Sequence, residues 1–239
     1  MGWGCRVMNR DRPDLLLLHG ALGSKSQFLP LLPLLEDHFR LHTLDFEGHG
    51  KAPPRERAFR LEHFAENIIE YLDQHTLKRI KIFGYSMGGA VGLFLAKSVP
   101  ERIDRIHTLA TKFNWTPEIV ERETAFLDPD AILRKVPQFA DILKERHIAS
   151  GWRNVLKKTE EMFLNLAEKN VLPEGEMGRI SINVRLGLGD RDQMVSLEET
   201  VNVYRLLPNS ELQVFPGTPH PLEQVPLPDL VHSLLSFFR

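Results

Sequence analysis

Residues 79–98 read RIKIFGYSMGGAVGLFLAKS, and this stretch decides the fold. RIKIF is a short, apolar, β-branched run of the kind that forms a buried strand. A helix-like segment follows from Ala90 to Ser98 and is stopped by Pro100. Between the two, Gly84-Tyr85-Ser86-Met87-Gly88 spells Gly-x-Ser-x-Gly. A strand that reverses sharply into a helix needs glycines beside the bend, because a Cβ there would press on a neighbouring strand or helix. The residue at the apex is held in a strained conformation with its side chain exposed. The helix starting there aims free N–H groups and a positive dipole end at the same point. Ser86 is therefore the candidate nucleophile, and the Met87 N–H a candidate oxyanion donor. A turn that merely packs a helix close to a strand would share the pattern. The strand before and the amphipathic helix after favour the reactive reading.

Working outward, short apolar runs at 14–19, 40–45, 103–110, 180–188 and 211–215 alternate with helical periodicity at 26–36, 61–75, 197–206 and 226–238. That alternation predicts an α/β fold, a mostly parallel central sheet flanked by helices. The helix at 26–36 is expected despite Pro30 and Pro33. After Thr111 the alternation breaks, and only helix-like segments follow at 117–126, 129–135, 137–149 and 152–168. The expected organisation is a core of residues 1–111 and 179–239, with an all-helical lid inserted at 112–178.

A serine hydroxyl needs a base, and in this order of elements the base comes from a loop near the end of the chain. His220, in Pro216-Gly217-Thr218-Pro219-His220-Pro221, follows the last strand and is stiffened by prolines on both sides. His232 falls inside a helical pattern, where a surface role is expected. The orienting acid should follow the 180–188 strand, where Asp190 and Asp192 both stand; a turn-capping role is the alternative for Asp190. The second oxyanion donor should come from the loop after His19-Gly20, at Ala21 or Leu22. His19 itself is expected to bond backbone there.

With these residues in hand, the sequence resembles the α/β-hydrolase superfamily over nearly its whole length apart from the lid. It is most similar to the lid-bearing carboxylesterase, lipase-like and cofactor-free haloperoxidase group. The resemblance rests on LLLHGALGS (16–24), LDFEGHG (44–50), FGYSMGG (83–89), SVPERI (98–103), GDRDQMV (189–195) and PGTPHPLEQ (216–224). It implies Asp192 as the acid, Ala21 as the oxyanion residue after His-Gly, and no cofactor. Ser86 stands where epoxide hydrolases and haloalkane dehalogenases need a carboxylate. Ala90 stands where a menaquinone-pathway synthase would carry arginine. Ala52 and Phe46-Glu47 also depart from the group's usual residues, and the short segment before residue 14 suggests that leading antiparallel strands are missing or reduced.

The rest of the chain bounds the function. At 239 residues with a net charge of −2, it suits a single globular enzyme and offers no basic surface for nucleic acid or an anionic membrane. The single cysteine, Cys5, permits no internal disulfide and reads as a bystander thiol; with no signal-peptide core, no myristoylation motif and no apolar run of membrane length, the expectation is a cytoplasmic protein. A homodimer is compatible with the chain. His38 and His42 straddle a helix-to-strand junction, so no metal site is expected. The lid carries Phe113, Trp115, Phe126, Phe139, Trp152, Met162 and Phe163, most of them expected to glue helices together. Leu22, Phe113, Trp115 and Trp152 are the candidate substrate contacts, and Lys112 is the one cation near the hinge. The sequence thus predicts a serine hydrolase acting on a carboxylic ester or thioester of a small, moderately hydrophobic substrate. C–C hydrolase, lyase or perhydrolase chemistry on the same triad is the enzymatic alternative, and a slow-turnover small-molecule sensor the non-enzymatic one.

Overall fold

A computed structural model describes residues 12–239. Cys5 and the rest of the opening segment lie outside the described residues. Six strands form one sheet: β1 (Asp14–Leu18), β2 (Arg40–Thr43), β3 (Ile80–Tyr85), β4 (Ile103–Leu109), β5 (Asn183–Gly189) and β6 (Ser210–Phe215). The strand order is β2-β1-β3-β4-β5-β6, and every pairing is parallel. No antiparallel leading strand occurs among the described residues.

Both faces of the sheet are covered, which is why its central strands read as unbroken apolar runs. In β1 the side chains alternate between two cores. Leu16 and Leu18 face one that includes helices α2 (Leu61–Gln74) and α3 (Met87–Ser98). Leu15 and Leu17 face the other, with Phe28, Leu35 and α10 (Leu227–Phe238).

The expected helix at 26–36 is not continuous. A 3₁₀ turn at Lys25–Phe28 is followed by a single short helix, α1 (Leu32–Leu35). Pro30 and Pro33 explain the correction: each lacks an N–H, and Pro33 fits only in the first turn of the new helix.

Between β4 and β5 the chain is all helical: α4 (Pro117–Thr124), α5 (Pro129–Lys135), α6 (Pro137–Arg146), α7 (Trp152–Glu168) and the short α8 (Glu174–Met177). Three of these helices begin at a proline, where the missing N–H is harmless. Thr116 and Asp128 cap α4 and α5 by accepting the Ile119 and Asp130 N–H groups. α7 buries Val155, Leu156, Thr159, Met162, Phe163 and Leu166, one continuous stripe. The insert is tied to the sheet at both ends. Glu199, on α9 (Leu197–Leu206), accepts the Phe113 and Asn114 N–H groups at 2.6 Å each, and Lys97 Nζ donates to the Val171 carbonyl at 2.7 Å. Among the described residues, no helix is long and apolar enough to cross a membrane.

Candidate active site

Ser86 joins β3 to α3 with φ 50° and ψ −116°, a left-handed backbone that costs a non-glycine residue on the order of 1–3 kcal/mol. Its surroundings enforce that conformation. The Ser86 N–H donates to the Leu109 carbonyl at 2.8 Å, and the Ser86 carbonyl accepts the Thr111 hydroxyl at 3.0 Å. A Cβ on Gly88 would lie 2.3 Å from the Leu18 carbonyl oxygen of β1, and one on Gly84 would lie 2.5 Å from the Gly89 backbone. The helix can approach the sheet only because both residues are glycine. Met87 is the first residue of α3, so its N–H has no intrahelical acceptor.

The opposite wall is built from two loops laced together. A Cβ on Gly189 would lie 2.0 Å from the Thr218 carbonyl, and that carbonyl accepts the Arg191 N–H at 3.0 Å. The acid loop and the histidine loop are thus in direct backbone contact. Asp192, whose side chain is fully buried, accepts the Met194 and Val195 N–H groups on Oδ1, both at 2.8 Å. Its Oδ2 lies 2.8 Å from His220 Nδ1. A carboxylate there selects the Nδ1–H tautomer of His220 and leaves Nε2 as the acceptor. The Tyr85 hydroxyl donates to the His220 carbonyl at 3.1 Å. Asp190 is exposed and makes no side-chain hydrogen bond among the described residues; the turn cap expected of it is made by Asp192 instead.

Ser86, His220, Ala21, Leu22 and Met87 all line one cavity of about 330 Å³. No hydrogen bond joins Ser86 to His220 among the described residues; such contacts are often long without substrate and tighten in the complex.

The loop at Ala21 and Leu22 is itself held from the insert. Leu22 has φ 58°, a left-handed conformation, and its carbonyl accepts Arg146 Nη1 at 2.8 Å and His147 Nε2 at 3.0 Å. His147 Nδ1 in turn accepts the Gly50 N–H at 3.1 Å. Accepting on Nδ1 requires the neutral ring, and burial lowers its pKa to about 4. His19 donates from Nδ1 to the Gly20 carbonyl and accepts the Phe46 N–H on Nε2; burial lowers it, too, to about 4. It is structural, not a second base.

Of the four expected substrate contacts, Leu22 and Trp115 line the cavity, but Phe113 and Trp152 do not. Phe113 is buried among core residues beside the Glu199 anchor, and Trp152 starts α7 about two turns before Thr159, the first of its residues to reach the cavity. The sequence reading missed Leu61, Glu123, Leu127, Thr159, Leu166 and Met194 among the lining residues. The stripe on α7 was the available signal for Thr159 and Leu166, since both fall in phase with it. Lys112 lines the cavity but is engaged, donating to the Met194 carbonyl at 2.9 Å and pairing with Glu199 at 3.2 Å. No cluster of metal-ligating side chains occurs among the described residues.

The family model described as alpha/beta hydrolase fold matches residues 13–179, ending before Asp192 and His220. An sn-1-specific diacylglycerol lipase of Danio rerio is 25% identical over 96% of this chain and 79% of its own length. A pimeloyl-[acyl-carrier protein] methyl ester esterase of Vibrio vulnificus is 24% identical, over 94% of each chain. Several other relatives match only about 100 residues, 27% to 38% of their own length. Among solved structures, the 2-hydroxy-6-oxo-6-phenylhexa-2,4-dienoate hydrolase of a Rhodococcus strain superposes with a TM-score of 0.78 at 24% identity, covering 95% of this chain and 91% of that one. With more than half its length matched, and the sheet order to go with it, this chain belongs to the alpha/beta hydrolase fold family.

Proposed function

We propose that the chain is a serine hydrolase that cleaves a carboxylic ester or thioester of a small, moderately hydrophobic substrate. Ser86 Oγ attacks the carbonyl carbon while His220 Nε2 takes its proton. The oxyanion is held by the Ala21 and Met87 N–H groups. The tetrahedral intermediate collapses, the alcohol or thiol leaves with the proton from His220, and an acyl-Ser86 remains. Water, deprotonated by His220, then releases the acid. Asp192 keeps the ring in the working tautomer and stabilises the imidazolium. Residues 112–178 act as the lid that supplies most of the pocket wall, and Arg146 and His147 hold the oxyanion loop from it.

One observation carries this reading: a serine in a strained bend shares a cavity with a histidine whose far nitrogen sits on a buried carboxylate. Ester chemistry is preferred because, of three relatives matched along most of their length, two are named as a lipase and a methyl ester esterase. The third is named as a putative 2-succinyl-6-hydroxy-2,4-cyclohexadiene-1-carboxylate synthase, and Ala90 stands where such a synthase would carry arginine. A fluorophosphonate probe and a short-chain nitrophenyl ester test it. The wild-type chain should label at Ser86 and turn over steadily, and Ser86→Ala should lose labelling and about 10⁶-fold in kcat with its fold intact. Labelling at another residue, or full turnover by Ser86→Ala, would overturn the assignment. A burst that stops after one equivalent would favour the sensor.

A further inference from the structure

The cavity wall is apolar except at a few points, and two polar groups in it have no evident use in the reaction above. Thr159 lies in the middle of α7 with its side chain entirely buried. A threonine there commonly bonds back to the carbonyl four residues earlier. Here Oγ1 has no hydrogen-bond partner among the described residues. Valine would fill the same space without an unpaired hydroxyl, so the hydroxyl burdens the fold. Glu123, on α4, is 8% exposed and lines the same cavity. Its Oε1 accepts Arg122 Nε and Nη2 at 2.9 and 2.6 Å, while Oε2 makes no hydrogen bond among the described residues. α4 and α7 pack against each other, so both groups belong to one side of the pocket. The remaining polar wall residue from the insert's hinge, Lys112, is already engaged by Met194 and Glu199.

We propose that Thr159 and Glu123 form a polar subsite for a hydroxyl or amide N–H carried by the substrate away from the bond that is cleaved. Glu123 Oε2 accepts from that group, and Thr159 Oγ1, which is closed off from the cavity, turns about χ1 to complete its hydrogen bonding. The preferred substrate is then an ester or thioester whose chain is apolar along most of its length and carries one hydrogen-bond donor, not a plain alkyl chain. This rests on the hydrolase reading and narrows it.

The test is a set of nitrophenyl and thioester substrates of equal chain length, plain or with one hydroxyl placed at successive carbons, assayed with wild type, Thr159→Val and Glu123→Gln. In the wild-type chain one hydroxyl position should raise kcat/KM at least tenfold over the plain chain. In Thr159→Val that ratio should fall towards one while the melting temperature rises. In Glu123→Gln it should fall as well, without the rise in melting temperature. If the wild-type chain hydrolyses plain esters and no hydroxyl position gains, or if the ratio survives both substitutions, the subsite is wrong and the hydrolase reading stands. If no ester is cleaved and Ser86 does not label, the hydrolase reading itself has failed.

Discussion

The sheet region and the helical insert meet at one cavity but are specified by different kinds of constraint. On the sheet side the decisive contacts are backbone against backbone: Gly88 against Leu18, Gly84 against Gly89, Gly189 against Thr218. Each removes the choice of side chain altogether. On the insert side the contacts are side chains on a helical stripe, from Val155 to Leu166 on α7, where many apolar residues would serve. The lesson is that the proposed reacting groups rest on a frame that tolerates almost no substitution, whereas the pocket rests on one that can be repacked.

Three experiments would break or sharpen that contrast. The largest effect is expected at the acid loop. Asp192→Asn should lower kcat by about 10⁴-fold, by favouring the wrong tautomer of His220, while exposed Asp190→Asn should change it less than twofold. Equal losses at the two positions would dissolve the distinction between them. Next comes Gly88→Ala, where a methyl would meet the Leu18 carbonyl at 2.3 Å. Denaturant unfolding should show a loss at or above the upper end of the ~1–3 kcal/mol typical of overpacking, against under about 1.5 kcal/mol for Met162→Leu on the insert. A smaller loss at Gly88 than at Met162 would reverse the comparison.

The last experiment concerns the joint between the regions. Burial holds the pKa values of His19 and His147 at about 4 and of His107 at about 3 in the folded chain, and holds His49 well below its usual value, against 6.5 when unfolded. Between those values the unfolded chain binds more protons, so acid favours unfolding. The melting temperature should therefore be flat above pH 6.5 and fall progressively towards pH 4. A profile flat down to pH 4 would mean that these rings are not neutral in the fold.

The same contrast explains what could be read from sequence. The elbow at Ser86, the Gly189-to-Val195 loop and the proline-flanked His220 loop were legible because close backbone approach writes itself as glycine and proline at fixed spacing. The parallel sheet was legible because β1 is buried on both faces and so carries an unbroken apolar run. The broken helix at 26–36 was misread because apolar periodicity persists through Pro30 and Pro33 although the hydrogen bonding cannot. The pocket was only half legible. Periodicity on α7 shows which face is buried, but whether that face meets the cavity or the core depends on how α7 lies over the sheet. Trp152 shares the stripe's phase yet lies about two turns short of Thr159, and Phe113 is drawn aside by the Glu199 anchor. Arg146 and His147 were invisible, since their acceptor is a carbonyl more than 120 residues away.

That long-range grip on the Leu22 carbonyl limits how the protein could be re-engineered or diverge. A transplanted helical segment would bring a new pocket lining, but it would leave a left-handed peptide unit without the two donors that restrain it. Chimeras that exchange residues 112–178 should therefore keep an arginine–histidine pair at the end of α6, or accept a loosened loop as the cost of a new specificity. At that oxygen atom the two regions are not independent modules.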